Sequence, residues 1–357
     1  MTMRVAIDGR RLQDRPLGGV GRSFTNLVPR LATEAEVVVL TDSRRPVPED
    51  PVIAALAHPL SVPRRAHEAP WLHVAVARWL RDWDGLFHGT FNQLPLWSRV
   101  RTVVTIHDLS FEHHPDDFGP ASRRWFQLQA RRAAGTAQRV LTPTEAVRGE
   151  VASAYGVDRS TIVVAPNAVD PIFHRRPPAE VGAALATLGV TPPYVIALGG
   201  ARRRGLAVAT AAWSASGAND KGIGLVVVGT EQPTPGDGIV WVGPVDDGVW
   251  AGALAGARAL IYPTRYEGFG MPALEAIASG TPVVCAPVPA LVEVLGDAAE
   301  WCASATAEDV AAGLARVVED DQHRDALVAA GLRRAAAAPG WDQIAVVTLR
   351  AYHESLA

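Results

Sequence analysis

The stretch that most constrains the fold of this chain runs from Ala259 to Ala286 and reads ALIYPTRYEGFGMPALEAIASGTPVVCA. Its opening apolar run, Ala259–Tyr262, is short and bounded by Pro263, which predicts a buried strand. Met271-Pro272 predicts the start of a helix, because the N–H that proline lacks is not needed at a first helical position. Gly280 ends that helix, and the next strand, Thr281–Cys285, follows. The stretch therefore predicts one repeat of a parallel α/β sheet.

Two carboxylates flank the glycine-containing loop Thr264–Gly270 of this stretch. Glu267 lies in the loop, and the sequence places Glu275 in the first turn of the following helix. Backbone N–H groups and the helix dipole favour an anion at this point. The dipole alone also explains a first-turn carboxylate, and Glu267 read alone could be a solvated acid. The stretch as a whole predicts a phosphorylated or polyhydroxylated ligand.

The bulk properties of the chain exclude several classes of protein. Its 357 residues favour two domains, and a net charge of -3 argues against nucleic-acid binding. We find neither an apolar run long enough to cross a bilayer nor a secretory signal, which favours a cytoplasmic protein. The two cysteines, Cys285 and Cys302, are expected to be buried reduced thiols.

Strand and helix patterns alternate along the whole chain, which predicts parallel, doubly wound sheets. The proline-rich segment Pro171–Pro193 separates two such series. In the first series Gly18–Arg22 follows a strand, Met3–Asp8, and Ser23 is expected to cap the next helix. Glycines there let backbone approach a ligand phosphate, although a tight turn explains them equally well.

The segment Pro120–Gln138 is predicted as a basic, aromatic helix with two arginine pairs. Such a helix can touch an anionic membrane at its inner face. The alternative is an amphipathic helix with inward aromatic side chains and solvated arginines, which is the commoner case.

Other kinds of chemistry find little support in the sequence. Asp82-Trp83-Asp84 has the form of a metal-binding motif, but it precedes a predicted strand and is interpreted as a turn. Glu267 and Glu275 could be a hydrolase pair, yet no group that activates water accompanies them. No cysteine and histidine cluster suits zinc, and no nucleophile elbow is present.

The run EGFGMPALE, Glu267 to Glu275, resembles the signature of the retaining GT-B glycosyltransferases of family 4, which include bacterial mannosyltransferases. Four further segments agree with that family in order and spacing: GGVG at 18–21, TIHDLSF at 105–111, APNAVDPIF at 165–173 and GGARRRGL at 199–206. The resemblance implies two Rossmann-like domains that face a central cleft, with domains at 1–172 and 173–340 and a helix at 341–357 that crosses back.

The same resemblance implies a role for each site residue. Arg203 and Arg204 would stabilise the leaving diphosphate, because guanidinium groups neutralise phosphate charge. Glu267 would hold donor-sugar hydroxyls, with His107 near that sugar, and Glu275 would bind the nucleotide ribose. The remaining donor-binding residues implied by the family are Gly19, Gly21, Val242, Phe269, Gly270 and Met271.

Two positions depart from the family pattern. Arg204 stands where lysine is common, in a chain whose only lysine is Lys221. Ala168 replaces a glycine, which would strain the turn if a positive φ were needed there.

The resemblance, together with the sequence patterns, predicts a retaining, metal-independent enzyme without a cofactor. It would move a hexose from a nucleotide sugar (GDP-mannose, or a UDP- or dTDP-hexose) to a hydroxyl of a glycan, glycolipid or natural-product precursor. The resemblance of the TIHDLSF segment to mannosyltransferases favours mannose, and with it GDP-mannose. A GT-B phosphorylase or hydrolase, and a non-catalytic nucleotide-sugar-binding relative, are the alternatives.

Overall fold

A computed structural model describes residues 3–15, 17–63 and 68–357, with the side chain of Glu68 excluded. The chain divides into two compact units. Unit 1 comprises Met1–Ala168 and Pro339–Ala357, and unit 2 comprises Val169–Ala338. Each unit contains one sheet in which all strand pairs are parallel, so the predicted α/β class with doubly wound sheets is confirmed.

Unit 1 is built on a seven-stranded sheet with the order β3-β2-β1-β4-β5-β6-β7. Its strands are β1 Arg4–Asp8, β2 Glu36–Asp42, β3 Ala57–Leu60, β4 Leu86–Gly89, β5 Thr102–Thr105, β6 Arg139–Thr142 and β7 Ile162–Val164. The sequence did not predict β3, whose AHPL sequence contains a proline. Proline is tolerated there because β3 is an edge strand.

The helices of unit 1 cover both faces of this sheet. They are α1 Gly19–Leu31, α2 Pro51–Leu56, α3 Glu68–Pro70, α4 Ala77–Trp79, α5 Ser110–His113, α6 Pro120–Thr136 and α7 Glu145–Tyr155, with a π-helix, Trp71–Val76, between α3 and α4. The predicted cap at Ser23 is wrong, since α1 begins at Gly19. The Ser23 hydroxyl lies inside the helix, 2.9 Å from the Gly19 carbonyl and 2.8 Å from Asn167 Oδ1.

Unit 2 is built on a six-stranded sheet with the order β10-β9-β8-β11-β12-β13. Its strands are β8 Tyr194–Gly199, β9 Gly224–Gly229, β10 Ile239–Gly243, β11 Leu260–Tyr262, β12 Val283–Cys285 and β13 Ala299–Trp301. Its helices are α8 Pro178–Leu188, α9 Leu206–Ala215, α10 Asp247–Gly256, α11 Met271–Ala278, α12 Pro289–Leu295, α13 Ala307–Glu319 and α14 Asp321–Ala337. The sequence did not predict α12 or β13, because such short elements leave little periodic pattern.

The last helix, α15 Trp341–Leu356, is part of unit 1. Its buried side chains include Trp341, Ile344 and Tyr352, and they pack with α1 and the strands into one hydrophobic core. Cys285 and Cys302 are free and buried in unit 2, as expected. Over the described residues, no helix combines the length and the apolar character that a membrane span requires.

Candidate functional site

The strand order of unit 2 reverses between β8 and β11, which are neighbours in the sheet. Ligands of open parallel sheets bind at such a reversal, beyond the carboxyl ends of the strands. The predicted arginines form a single 3₁₀ turn, Arg202–Arg204, directly after β8. The Arg265 amide, in the loop after β11, donates a 2.9 Å hydrogen bond to the Arg203 carbonyl. The structure therefore fixes the arginine turn against the loop that carries Glu267.

A glycine permits this close approach of the two loops. Gly205 ends the arginine turn with φ 72°, a left-handed conformation. A Cβ atom at this position would lie 2.9 Å from the Pro263 carbonyl oxygen. Any other residue at 205 would be strained and would push the loops apart.

Arg204, Glu267 and Tyr262 form a compact polar cluster at this edge. Arg204 Nε lies 3.9 Å from Glu267 Oε1, and the Tyr262 hydroxyl donates a 2.6 Å hydrogen bond to the same oxygen. Burial opposes the charge of Arg204, but Tyr262, Glu267 and Glu275 outweigh it and raise its pKa. Burial, together with the Glu267 charge, raises the pKa of Tyr262 well above its usual value. Arg204 is therefore a permanent cation, and Tyr262 a permanent donor to Glu267.

Glu275 occupies a different environment from the one expected. It lies in the second turn of α11, not the first, so the helix dipole does not account for a carboxylate here. Its side chain is fully buried, and its Oε2 accepts a 2.8 Å hydrogen bond from Trp250 Nε1 of α10. A ribose can reach Glu275 only if the carboxylate becomes accessible, so its predicted ribose role stays a prediction.

The glycine loop places backbone groups at the start of α11. Gly270 has φ 91°, and a Cβ atom there would lie 2.2 Å from Leu291 Cδ2. The side chains of Phe269 and Met271 pack into the core of unit 2. Within the described part of the chain, no hydrogen bond is recorded from the N–H of Phe269, Gly270 or Met271. These three residues can contact a ligand through their backbone.

Val242 lies in β10 and packs partly buried against the core of unit 2. Its predicted role in a base pocket stays untested.

In unit 1 the strand order reverses between β1 and β4, and two predicted residues, Gly19 and His107, lie in the segments that follow β1 and β5. Helix α1 begins at Gly19 after an extended Gly18, without a side-chain cap. A Cβ atom on Gly19 would meet nothing within 4 Å, so packing does not explain this glycine. Gly21 is different: a Cβ atom there would lie 2.5 Å from the Arg11 carbonyl oxygen, which gives it a packing role.

His107 is held at this edge by the loop that follows β4. Its Nε2 lies 2.8 Å from the Thr90 carbonyl and must donate to it, which leaves Nδ1 as an acceptor. Its backbone N–H donates to Asn92 Oδ1 at 3.1 Å. Among the described residues Asn92 is the only non-glycine with positive φ, at 52°. Burial lowers the pKa of His107, so its imidazole is neutral near pH 7.

Two other positions of unit 1, His88 and Ala168, have structural roles. His88 is fully buried, with Nδ1 2.7 Å from the Tyr352 hydroxyl and Nε2 2.8 Å from Thr105 Oγ1. Ala168 is buried and has no positive φ, so the strain that its replacement of glycine suggested is absent.

Sequence reasoning missed Tyr262 and Trp250, which hold the two glutamates. Tyr262 reads as the last apolar residue of a buried strand, and Trp250 as a core residue of a helix. Only their hydrogen bonds distinguish them from other aromatic core residues. Among the described residues, no group of three or more histidine, cysteine, aspartate or glutamate side chains could hold a metal ion.

Two family profiles match most of the chain. The profile described as Glycosyltransferase Family 4 matches residues 17–173, and the one described as Glycosyl transferases group 1 matches residues 191–334. Among characterised proteins, the chain is 27% identical over 372 residues to O-antigen chain mannosyltransferase B of Escherichia coli, covering 94% of this chain and 96% of that protein. A shorter match, 37% identical over 110 residues, covers 30% of this chain and 27% of the MMP alpha-(1->4)-mannosyltransferase of Mycolicibacterium hassiacum.

Solved structures share the fold over nearly the full length. WaaG, a glycosyltransferase involved in lipopolysaccharide biosynthesis, superposes with a TM-score of 0.74 at 18% identity, covering 97% of this chain and 98% of that one. HepE of Anabaena, solved in complex with UDP and glucose, superposes with a TM-score of 0.73 at 14% identity, covering 98% and 99%.

Proposed function

The chain belongs to family 4 of the GT-B glycosyltransferases, and we propose that it transfers a hexose, with retention, from a nucleotide sugar to a hydroxyl group. The acceptor would be a glycan, a glycolipid or a natural-product precursor. One observation carries this proposal: in unit 2 a permanently charged Arg204 and a fixed Glu267 lie 3.9 Å apart at the reversal point of the sheet.

The arginine turn is suited to a leaving diphosphate. As the glycosyl bond breaks, negative charge grows on the diphosphate, and fixed cations stabilise this charge more than that of the ground state. The raised pKa of Arg204 keeps it charged throughout. We assign Arg203 and Arg204 to this role, which needs no metal ion, so a chelator such as EDTA should leave the rate unchanged.

Glu267 is suited to sugar hydroxyls. Its side chain is 11% exposed, and the Tyr262 hydroxyl fixes the position of Oε1. A carboxylate fixed in this way can accept hydrogen bonds from a polyol. We assign the backbone N–H groups of Phe269, Gly270 and Met271 to the same donor, because helix starts bind anions and polar groups.

In unit 1 we assign Gly19 to the donor phosphates and His107 to the donor sugar. The uncapped start of α1 offers N–H donors, and the neutral imidazole offers the Nδ1 lone pair. The family resemblance supports retention of configuration, and the anomeric NMR signal of the product tests it.

Two kinds of relative bear on the donor. Proteins similar to this chain are named mannosyltransferases, which supports mannose and therefore GDP-mannose. HepE was solved with UDP and with UDP-glucose, which supports nucleotide diphosphates as the class.

Thermal unfolding of the full chain with GDP, UDP, dTDP and ADP tests the donor class. A ligand at a hundred times its Kd stabilises the native state by about 2.7 kcal/mol. We expect GDP, UDP or dTDP to raise Tm, and we expect ADP to have the smallest effect of the four. If no nucleotide raises Tm and the chain instead cleaves a disaccharide with phosphate or water, a phosphorylase or hydrolase replaces our proposal.

Glu275→Gln tests the ribose assignment. The amide keeps an oxygen that accepts from Trp250 but lacks the charge, so we expect the nucleotide Kd to rise about tenfold, the value of one good hydrogen bond. An unchanged Kd, measured by calorimetry, would show that Glu275 acts only within the fold.

A further inference from the structure

A large basic cavity lies in unit 1 at the opposite end of the sheet from His107 and Gly19. It has a volume of about 1370 Å³ and includes Thr102, the first residue of β5, and Gln138, just before β6. Five arginines line it, and no acidic residue is among its described lining residues: Arg78, Arg81, Arg99, Arg101 and Arg132. We call this the basic cavity.

Among the described residues, no carboxylate neutralises the charge of the basic cavity. Over the described ranges, none of its five guanidinium groups forms an ion pair with a carboxylate. Arg132 is the most enclosed and donates to the Leu96 carbonyl. By contrast, the buried Arg10 of the same unit is paired with Asp8. A group of like charges without counter-ions attracts an anion.

His73 adds a second polar group that lacks a partner. Its side chain is 6% exposed and lines the basic cavity. Within the part of the chain that the structure describes, neither ring nitrogen has a hydrogen-bond partner. One ring nitrogen of a neutral imidazole carries a proton, so His73 can donate to a phosphate oxygen.

Large apolar side chains around the arginines of the basic cavity are exposed to solvent. Val74 and Trp97 line the basic cavity and are 61% and 72% exposed. Trp125 of α6 packs edge-on against His73, with ring centroids 5.5 Å apart. Leu128, one turn further along the same helix face, is 64% exposed. Exposed tryptophan is costly in water but favourable at the boundary of a bilayer.

The combination of arginines and exposed apolar side chains distinguishes between two sources of phosphate, a soluble polyanion and an anionic bilayer. A soluble polyanion would use the arginines and gain nothing from exposed Trp97 or Val74. An anionic bilayer uses both, because headgroup phosphates neutralise arginine while apolar side chains enter the interface. We propose that the basic cavity binds phosphate headgroups of anionic phospholipids, with Val74, Trp97, Trp125 and Leu128 inserted into the bilayer surface.

From the sequence, a membrane contact was expected through the two arginine pairs of helix Pro120–Gln138. The proposed lipid contact differs from that expectation. Arg123 donates to the Phe111 carbonyl at 2.9 Å, and Arg131 donates to the Ala154 carbonyl at 3.2 Å and covers the Tyr155 ring. Arg123 and Arg131, one arginine of each pair, are therefore engaged within the protein, whereas Arg132, next to Arg131 in the second pair, lines the basic cavity. The lipid contact instead involves the opposite residues of the same helix, Trp125, Leu128 and Arg132.

Cosedimentation of the full chain with vesicles tests the proposal without donor or acceptor, so its outcome is independent of the proposed function. We expect binding to phosphatidylcholine vesicles that contain phosphatidylglycerol and none to pure phosphatidylcholine. The Arg99→Gln/Arg101→Gln variant should bind about thirtyfold more weakly, from the attraction of two basic residues near an anionic surface. Arg333→Gln/Arg350→Gln makes the same change of charge at exposed positions elsewhere and should bind normally.

Three further results separate the possible occupants. Trp97→Ser should weaken vesicle binding but leave the affinity for tripolyphosphate unchanged. Binding of tripolyphosphate without binding of anionic vesicles would overturn the bilayer in favour of a soluble polyanion. A Trp97-dependent dimer in sedimentation, again without vesicle binding, would assign the surface to a second copy of this chain.

Discussion

The carboxyl edges of the two sheets share a topology and differ in charge. Both sheets are parallel and reverse strand order once, between β1 and β4 in unit 1 and between β8 and β11 in unit 2. The edge of unit 2 presents ionic side chains, Arg204 and Glu267. The edge of unit 1 presents an uncapped helix start and the imidazole of His107.

The difference follows from what is buried beside each polar group. In unit 2 Arg204 lies beside Glu267, Glu275 and Tyr262, which raise its pKa, so Arg204 keeps its charge. At the edge of unit 1 burial lowers the pKa of His107, and it lowers the pKa of His88 in β4 to about 3. The same sheet topology therefore supports a charged or a neutral edge, and local burial decides between them.

Removal of the positive charge of Arg204 from the edge of unit 2 should have the largest effect on activity. We expect Arg204→Gln to lower kcat about 10² to 10³-fold, the usual loss when one preorganised electrostatic group is removed. The measurement is the transfer rate with the nucleotide sugar that the Tm panel identifies. Arg202→Gln makes the same change of charge at an exposed position of the same turn and should retain activity. Equal losses in both variants would mean that the turn acts only through its general charge.

Acid should destabilise the neutral edge. Because the pKa of His88 is about 3 in the folded chain and about 6.5 in the unfolded chain, only the unfolded chain gains this proton as pH falls below 6.5. The free energy of unfolding should then fall by about 1.4 kcal/mol per pH unit, roughly 2 kcal/mol between pH 6.5 and 5, from His88 alone.

Urea unfolding across this pH range measures the effect. His73 contributes in the same direction down to its pKa of about 4. His88→Gln should remove the part of the slope that corresponds to one proton, whatever its effect on stability at pH 7.5. If the free energy of unfolding has the same slope against pH in His88→Gln as in the parent, native His88 is already protonated in this pH range.

Removal of the Tyr262 hydroxyl should have a smaller effect on activity at the same edge. Tyr262→Phe keeps the packing of β11 but removes the 2.6 Å hydrogen bond to Glu267. We expect kcat to fall about tenfold, the net value of a hydrogen bond to a charged group, with Tm within a few degrees of the parent. Tyr194→Phe, which removes a buried hydroxyl from a bond to the Ala253 carbonyl, should leave kcat unchanged. Activity lost equally in both variants would indicate a general effect of the core.

Much of the fold was predictable because the pattern is local. Valine-rich runs separated by helices predict parallel sheets wherever they occur, and Pro272 and Gly280 marked the region of α11 to within two residues. The misses have local causes as well. Edge strand β3 contains a proline, β13 has three residues, and Ser23 follows glycines that already begin the helix.

The site was predictable as a set of residues but not as a set of interactions. The segment EGFGMPALE identified the family and both glutamates. It placed Glu275 in a helix but in the wrong turn, and it gave no sign that Trp250 or Tyr262 holds the carboxylates. Those partners lie on other elements or are indistinguishable in sequence from core aromatics.

The sequence by itself determined most of the strands and helices, their alternating order, and that a glycosyltransferase results, because periodicity and motif spacing are properties of neighbouring residues. Only the tertiary structure decided which charges persist. Arg204 stays ionised beside Glu267 while His107 becomes neutral, and five arginines of the basic cavity gather where no described carboxylate pairs with them. The reason is physical: a pKa and the charge of a surface depend on burial and on neighbours that are distant in the chain.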